Sequence, residues 1–412
     1  MLLPTRGAVA ESPAAASGPV PGVKETESDA IDYASVRTEL AGAPLLGGNS
    51  DIGFQFGLVL TGTHFSDGAR PYAWNTDLVL ASSLKSGPNG VELAQQNYLL
   101  QLDLPRVVPE HVRVTVTGSF QRTIDYGYYG LANDAVLPSA GSAREYQFDQ
   151  REALVRSLTR IQMHKPYVLL IGANLRFVDP AAYPGSRLRE DAGAGRVRGL
   201  RALGLASLAL GLGYDTRDNE FFPMRGALLQ AGVKGNYAVP LSAAVGYLAP
   251  GFSLAGYFPL GGPFVLAARG VVDLQLGHVP FYDLSLGGLF QPDELPGGPY
   301  GVRGVPIGRY RGLIKLVGNV ELRALLWRFH LFGTAFRLGG AAFTDVGRCF
   351  SDYRFVPATG HRDPALLWGT GAGVYLQWGQ AAIFRVEAAY SPDAEANGGF
   401  PLGIYVAEGV TF

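Results

Sequence analysis

Six histidines are present, and histidine is the side chain whose charge changes nearest neutral pH, so their neighbours decide whether a proton-transfer site is plausible. Two have a carboxylate close by in sequence, His361 with Asp363 and His278 with Asp283. Either pair would need a nucleophile held at its end to perform hydrolysis. The other four, His64, His111, His164 and His330, fall near one rim of the topology set out below, and scattered loop histidines are usually solvated. The expectation is that the chain is not an enzyme. Its single cysteine, Cys349, excludes an intramolecular disulfide framework. No Cys/His spacing suits a zinc ribbon or a redox pair, so neither a metal nor a cofactor is expected.

The elements that position such residues emerge from composition and periodicity. The 412 residues are 47% hydrophobic and only 17% charged, with 56 glycines and a formal net charge of −1. That hydrophobicity excludes a wholly disordered chain. Near-neutral charge argues against nucleic acid as a partner, since such proteins carry a basic face. The most apolar stretch, Val239 to Val272, is broken by Pro240, Pro250, Pro259 and Pro263, which excludes a membrane-spanning helix there.

From about Leu40 onward, segments of 10 to 15 residues alternate with period 2. Val112, Val114 and Val116 alternate with Arg113, Thr115 and Thr117; Val320 and Leu322 alternate with Asn319, Glu321 and Arg323; Phe384 and Val386 alternate with Arg385 and Glu387. Charges at constant parity in the middle of long strands imply a wet face, and a tilted span needs about 9 to 11 residues. Sixteen such segments are predicted, at 40–48, 52–64, 70–85, 92–104, 111–124, 146–163, 167–178, 200–215, 225–238, 245–259, 263–277, 313–327, 334–346, 366–379, 382–391 and 403–412. Long connections follow odd segments and short ones follow even segments. The predicted fold is all-β, a 16-stranded antiparallel transmembrane β-barrel with both chain ends on the short-turn side. Residues 1–39, rich in Ala, Pro and Ser and then acidic, read as a flexible N-terminal tail or linker preceding a barrel over 40–412. Met1 to Ala10 has no apolar core of the usual signal-peptide length, although Ala8-Val9-Ala10 looks like the tail of a cleavage site.

Three motifs carry a family resemblance. Tyr214-Asp215-Thr216-Arg217-Asp218-Asn219-Glu220-Phe221-Phe222-Pro223-Met224-Arg225-Gly226 resembles the periplasmic turn of BamA/TamA-type barrels, the bacterial surface antigen superfamily, with Tyr214, Asp215, Arg217, Asp218, Pro223 and Gly226 at the motif positions. Gly301-Val302-Arg303-Gly304-Val305 resembles that family's VRGF/Y motif, at the tip of an extracellular loop folded back into the lumen. Val305 stands where the family carries an aromatic residue. The last residues, with Val410 and Phe412 as an apolar pair, resemble the C-terminal assembly signal of outer-membrane barrels; Ala407 replaces its usual glycine.

The resemblance implies that Arg303 and Gly304 latch the loop inside the lumen and that Arg303 pairs with acidic residues on the next two strands. Glu321 and Asp345 are the carboxylates at lumen parity. It implies a bacterial outer-membrane location and partnership with outer-membrane lipid. It also implies the barrel-assembly machinery for the chain's own insertion, and client outer-membrane proteins or lipids inserted through a seam between the first and sixteenth strands. Residues 1–39 are too few for a periplasmic POTRA domain, so a member without POTRA domains is expected. A passive or loop-plugged pore is the alternative.

Overall fold

The computed structural model describes residues 36–49, 53–66, 69, 72–87, 90–108, 111–131, 143–220, 222–240, 244–290, 293–331, 334–353, 366–378, 382–392 and 402–412. The predicted tail lies almost entirely outside the described residues, as does His361.

The strands are β1 (Arg37–Asn49), β2 (Gly53–Phe65), β3 (Trp74–Gly87), β4 (Gly90–Val108), β5 (Val112–Gly127), β6 (Gln147–Gln162), β7 (Tyr167–Ala182), β8 (Leu203–Asp215), β9 (Gly226–Val239), β10 (Gly246–Gly261), β11 (Phe264–Leu274), β12 (Leu276–His278), β13 (Leu286–Gly287), β14 (Asp293–Glu294), β15 (Ile314–Leu331), β16 (Thr334–Phe350), β17 (Leu367–Trp378), β18 (Ala382–Tyr390) and β19 (Leu402–Glu408). One helix, α1 (Arg187–Gly193), is started by Ser186, whose hydroxyl accepts from the Arg189 amide. Seventeen of the strands form one sheet, and β13 and β14 pair separately within a loop. Because β12 prolongs β11 along the same partner β10, the sheet has sixteen staves among the described residues, each antiparallel to the next in chain order. They coincide with the sixteen predicted segments to within a few residues at most ends.

Alternation explains why these sequences form a wall with two different faces. On β15, Asn319, Glu321 and Arg323 are buried while Val320 and Leu322 are exposed; on β18, Arg385 and Glu387 are buried while Phe384 and Val386 are exposed. The outside is therefore apolar and the inside charged. No described helix is long and apolar enough to cross a membrane.

Among the described residues no register joins β1 to β19. The ladder runs from β1 on β2 to β18 on β19 and ends there. Strand length falls toward this seam, from 17 residues in β16 to 12, 9 and 7 in β17, β18 and β19. The last stave is shorter than predicted. It stops at Glu408, Gly409 takes φ +80°, and residues 409–412 turn into the interior instead of continuing the ladder.

At the long-loop end the interior is roofed by packing between connections. Leu188 and Val197 of the β7–β8 connection cluster with Tyr128, Phe148, Phe281 and Tyr282. Asp191 is buried beneath this roof, accepts from the Tyr128 hydroxyl at 2.7 Å and pairs with Arg187 and Arg196. Asp283 binds Arg176 at 2.5 Å and the Tyr247 hydroxyl at 2.8 Å, so the carboxylate of the weak His278–Asp283 candidate is committed to structure.

Candidate functional site

The β12–β15 connection places Arg303 in the interior. Its tip is tightened by a bridge between Gly297 and Val302 and by the Val302 amide bonding the Pro296 carbonyl at 2.6 Å. Gly304 sits at φ +95°, and a Cβ there would lie 2.8 Å from Ser391 Cβ, so both conformation and space require glycine. Asn319 of β15 steadies the tip by donating to the Gly301 carbonyl and to Asp345 Oδ1, each at 2.8 Å.

Arg303 is fully buried and meets three carboxylates. Its Nε and Nη2 bind Asp345 at 2.7 and 2.9 Å, its main-chain amide adds a third bond to Asp345 at 3.1 Å, and Nη1 lies 2.6 Å from Glu321 and 3.0 Å from Glu387. The planar fork suits this multidentate pairing. The guanidinium carbon also sits 3.4 Å from the Phe343 ring centroid. Two further arginines balance the charge, Arg323 on Glu321 at 2.6 Å and Arg385 on Glu387 at 3.2 Å. Three cations and three anions, all with side chains 0% exposed, thus form one buried ion-pair cluster.

Glu321 and Asp345 both lie against Arg303, and Glu387, Arg323, Arg385, Tyr375 and Thr411 join them as residues the sequence reading did not name. The signal for Arg385 and Glu387 was present, because they hold on β18 the same inward parity and two-residue spacing that Glu321 and Arg323 hold on β15. Val305 is buried against Val302, Tyr310, Cys349 and Leu367, and the stacking expected of an aromatic at its position is made by Phe343 on Arg303 instead.

The other two motifs reach the same cluster. Thr411 Oγ1 accepts from Arg303 Nη1 at 3.1 Å and also from Arg385. The Phe412 carbonyl accepts from both terminal nitrogens of Arg323 at 3.2 Å. Its ring lies 4.6 Å from the Arg323 guanidinium, 5.2 Å from that of Arg269 and 6.4 Å from the Tyr257 ring. Val410 packs beside Phe222 and Ile383.

The β8–β9 turn is likewise inside the mouth and not merely a surface connection. Arg217 is buried and binds Asp215 at 2.9 and 3.0 Å; Asp218 Oδ1 accepts from the amides of Met224 and Arg225; Gly226 takes φ +100°. Tyr214 meets Tyr167 edge to face at 5.5 Å, and Pro223 is buried. Phe222 packs on Ala341, Tyr375 and Ile383, meeting the Tyr375 ring edge-on at 6.5 Å. The Tyr375 hydroxyl donates toward Glu387 at 3.2 Å and Glu321 at 3.4 Å, linking the turn to the Arg303 cluster.

Comparison with known proteins bears on the family and the fold. The Omp85 superfamily domain matches residues 91–404. The structure resembles BamA from Haemophilus ducreyi lacking POTRA domains 1–3, with TM-score 0.50 and 15% identity, over 91% of this chain and 70% of that one. It also resembles CdiB from Escherichia coli, with TM-score 0.54 and 16% identity, over 90% of this chain and 62% of that one. No curated protein sequence matches the chain.

Proposed function

From the premise that this chain belongs to the Omp85 superfamily, whose outer-membrane barrels mediate protein insertion or translocation, we propose that it assists insertion of proteins or lipids through the seam between β1 and β19. The observation that carries this reading is the seam itself. The ladder ends at β1 and β19, the wall is shortest there, and residues 409–412 leave the wall to enter the lumen. A strand edge without a ladder partner is a template for an incoming strand.

The Arg303 cluster is the latch of this device. It anchors the long loop and the end of the last strand to one point, so the loop position and the seam are set together. A passive pore is disfavoured because that loop and the β8–β9 turn both occupy the lumen.

A photo-crosslinking amino acid at Leu40 on β1 or Ile404 on β19, both exposed, tests the reading against Leu208 on β8, exposed on the far wall. Crosslinks to newly made outer-membrane proteins at the first two positions and none at Leu208 are expected. Equal yields at all three would mean that the seam has no special part in insertion.

A further inference from the structure

Arg113 on β5 and Arg160 on β6 are direct register partners with buried side chains on the inner face, close to the turn end of the lumen. Like charges placed opposite one another across a strand pair repel and persist only when something between them is negative. Arg113 is partly answered from its own wall. Its Nε and Nη2 bind Asp103, the shortest contact being 2.8 Å, and Asp103 is further fixed by the hydroxyls of Tyr72 and Thr115. Arg160 is 6% exposed, and its Nε and Nη1 have no hydrogen-bond partner.

Besides Asp103, a second carboxylate faces this pair, Glu220 of the β8–β9 turn. Its Oε2 stands 3.6 Å from Arg113 Nη1, beyond hydrogen-bond range, and that oxygen accepts no hydrogen bond. Burial pushes the Glu220 carboxyl above its ordinary range against the pull of Arg113, Arg217 and Arg160. Two residues along, Phe222 is seated on Ala341, Tyr375 and Ile383 of the opposite wall. Among the described residues the turn is thus held in the mouth by a close aromatic seat, by Met224 packed beside it, and by a loosely satisfied charge.

We propose that Arg113 and Arg160 form an oxyanion-binding site for a phosphate-type group entering from the periplasmic end, which Glu220 fills in the resting barrel, and that occupation of this site releases the β8–β9 turn. Arg160 keeps two donor nitrogens without an acceptor beside the Arg113–Asp103 pair, and a phosphate oxygen set can take up both where the single Glu220 carboxylate does not. The phosphate is either free in solution or carried on a lipid headgroup.

The test reports on the turn directly and needs no client protein, so its failure is separate from failure of the insertion reading. The full chain carries Cys349→Ser and Met224→Cys, a half-buried position of the same turn that leaves Phe222 in its seat, and the labelling rate by a water-soluble maleimide is measured after folding is confirmed by gel mobility. In detergent, inorganic phosphate is compared with chloride at equal ionic strength. In nanodiscs, phosphatidylglycerol is compared with phosphatidylcholine.

A rise of about fivefold, equivalent to loss of an ion pair worth about 1 kcal/mol, is expected with phosphate and not with chloride. A rise confined to phosphatidylglycerol nanodiscs identifies the headgroup as the source. Arg160→Gln should abolish the response, and Glu220→Gln should label fast without any phosphate. Should Arg160→Gln fail to fold, Arg160→Lys keeps the charge without the fork and should weaken the response. No response to either phosphate source, an equal response to chloride, or an undiminished response in the Arg160 variant would overturn the proposal.

Discussion

The Tyr405 hydroxyl accepts a 2.8 Å hydrogen bond from the main-chain amide of Gly304, which ties the last strand of the wall to the tip of a loop 101 residues earlier in the chain. The neighbouring Arg303 binds Thr411, beyond the end of the same strand. Loop tip and terminal strand are therefore tied to each other, and the side chain at 405 bonds the loop as well as belonging to the wall.

Tyr405→Phe removes only that hydroxyl. A neutral hydrogen bond contributes about 0.5 to 1.5 kcal/mol, so a small but measurable fall in the temperature at which the folded barrel unfolds on a gel is expected. The seam crosslinks at Ile404 should change in yield, because β19 loses one of its ties to the loop. Unaltered crosslinking together with unaltered heat resistance would mean that the bond does not hold the strand.

Arg303→Ala should be far more costly. Removing the cation leaves Glu321, Asp345 and Glu387 with only Arg323 and Arg385 among them, and breaking a buried ion pair typically costs about 3 to 5 kcal/mol. Arg303→Lys restores charge but not the fork that takes Asp345 with two nitrogens, so intermediate heat resistance is expected. Wild-type heat resistance in the alanine variant would show that the cluster does not stabilise the barrel.

Gly304→Ala tests backbone geometry without touching charge. At φ +95° an L-residue is strained, and its Cβ would press on Ser391 at 2.8 Å. A cost of about 1 to 3 kcal/mol follows from such strain, with faster proteolysis of the loop as its signature. Proteolysis at the wild-type rate would mean that the tip accommodates the methyl group.

The wall was legible because its signal is local. Alternation of charge and apolar side chains at Asn319–Arg323 and Arg385–Glu387 needs no knowledge of distant contacts, and it returned the staves in order. The Arg303 pairings with Glu321 and Asp345 were accessible through a motif and parity together. The inward course of residues 409–412 was not, since Val410 and Phe412 also fit the apolar pattern of a last strand and only the φ of Gly409 separates the two. The inward parity of Glu387 was legible, but its pairing with Arg303 and the place of Tyr375 were not, because both depend on which staves face Arg303 across the lumen. The seat of Phe222 was hidden for the same reason: a turn sequence specifies its own Asx bonds, as at Asp218, but not the far wall it touches.

Two plugs in one lumen give a prediction for ion conduction. Deleting Gly297 to Gly304 removes the tip that carries Arg303, but the β8–β9 turn remains seated through Phe222 against Tyr375 and through Glu220 beside Arg113. The deletion alone should therefore conduct weakly in a planar bilayer. Phe222→Ala alone should also conduct weakly, because Val302, Arg303 and Val305 still fill the lumen above it. The two changes together should open steady conductance well beyond the sum of the single variants, which is the mark of obstructions in series. Large conductance from the loop deletion by itself would show that the turn does not close the mouth, and the coupling drawn between Phe222, Tyr375 and the latch would fall with it.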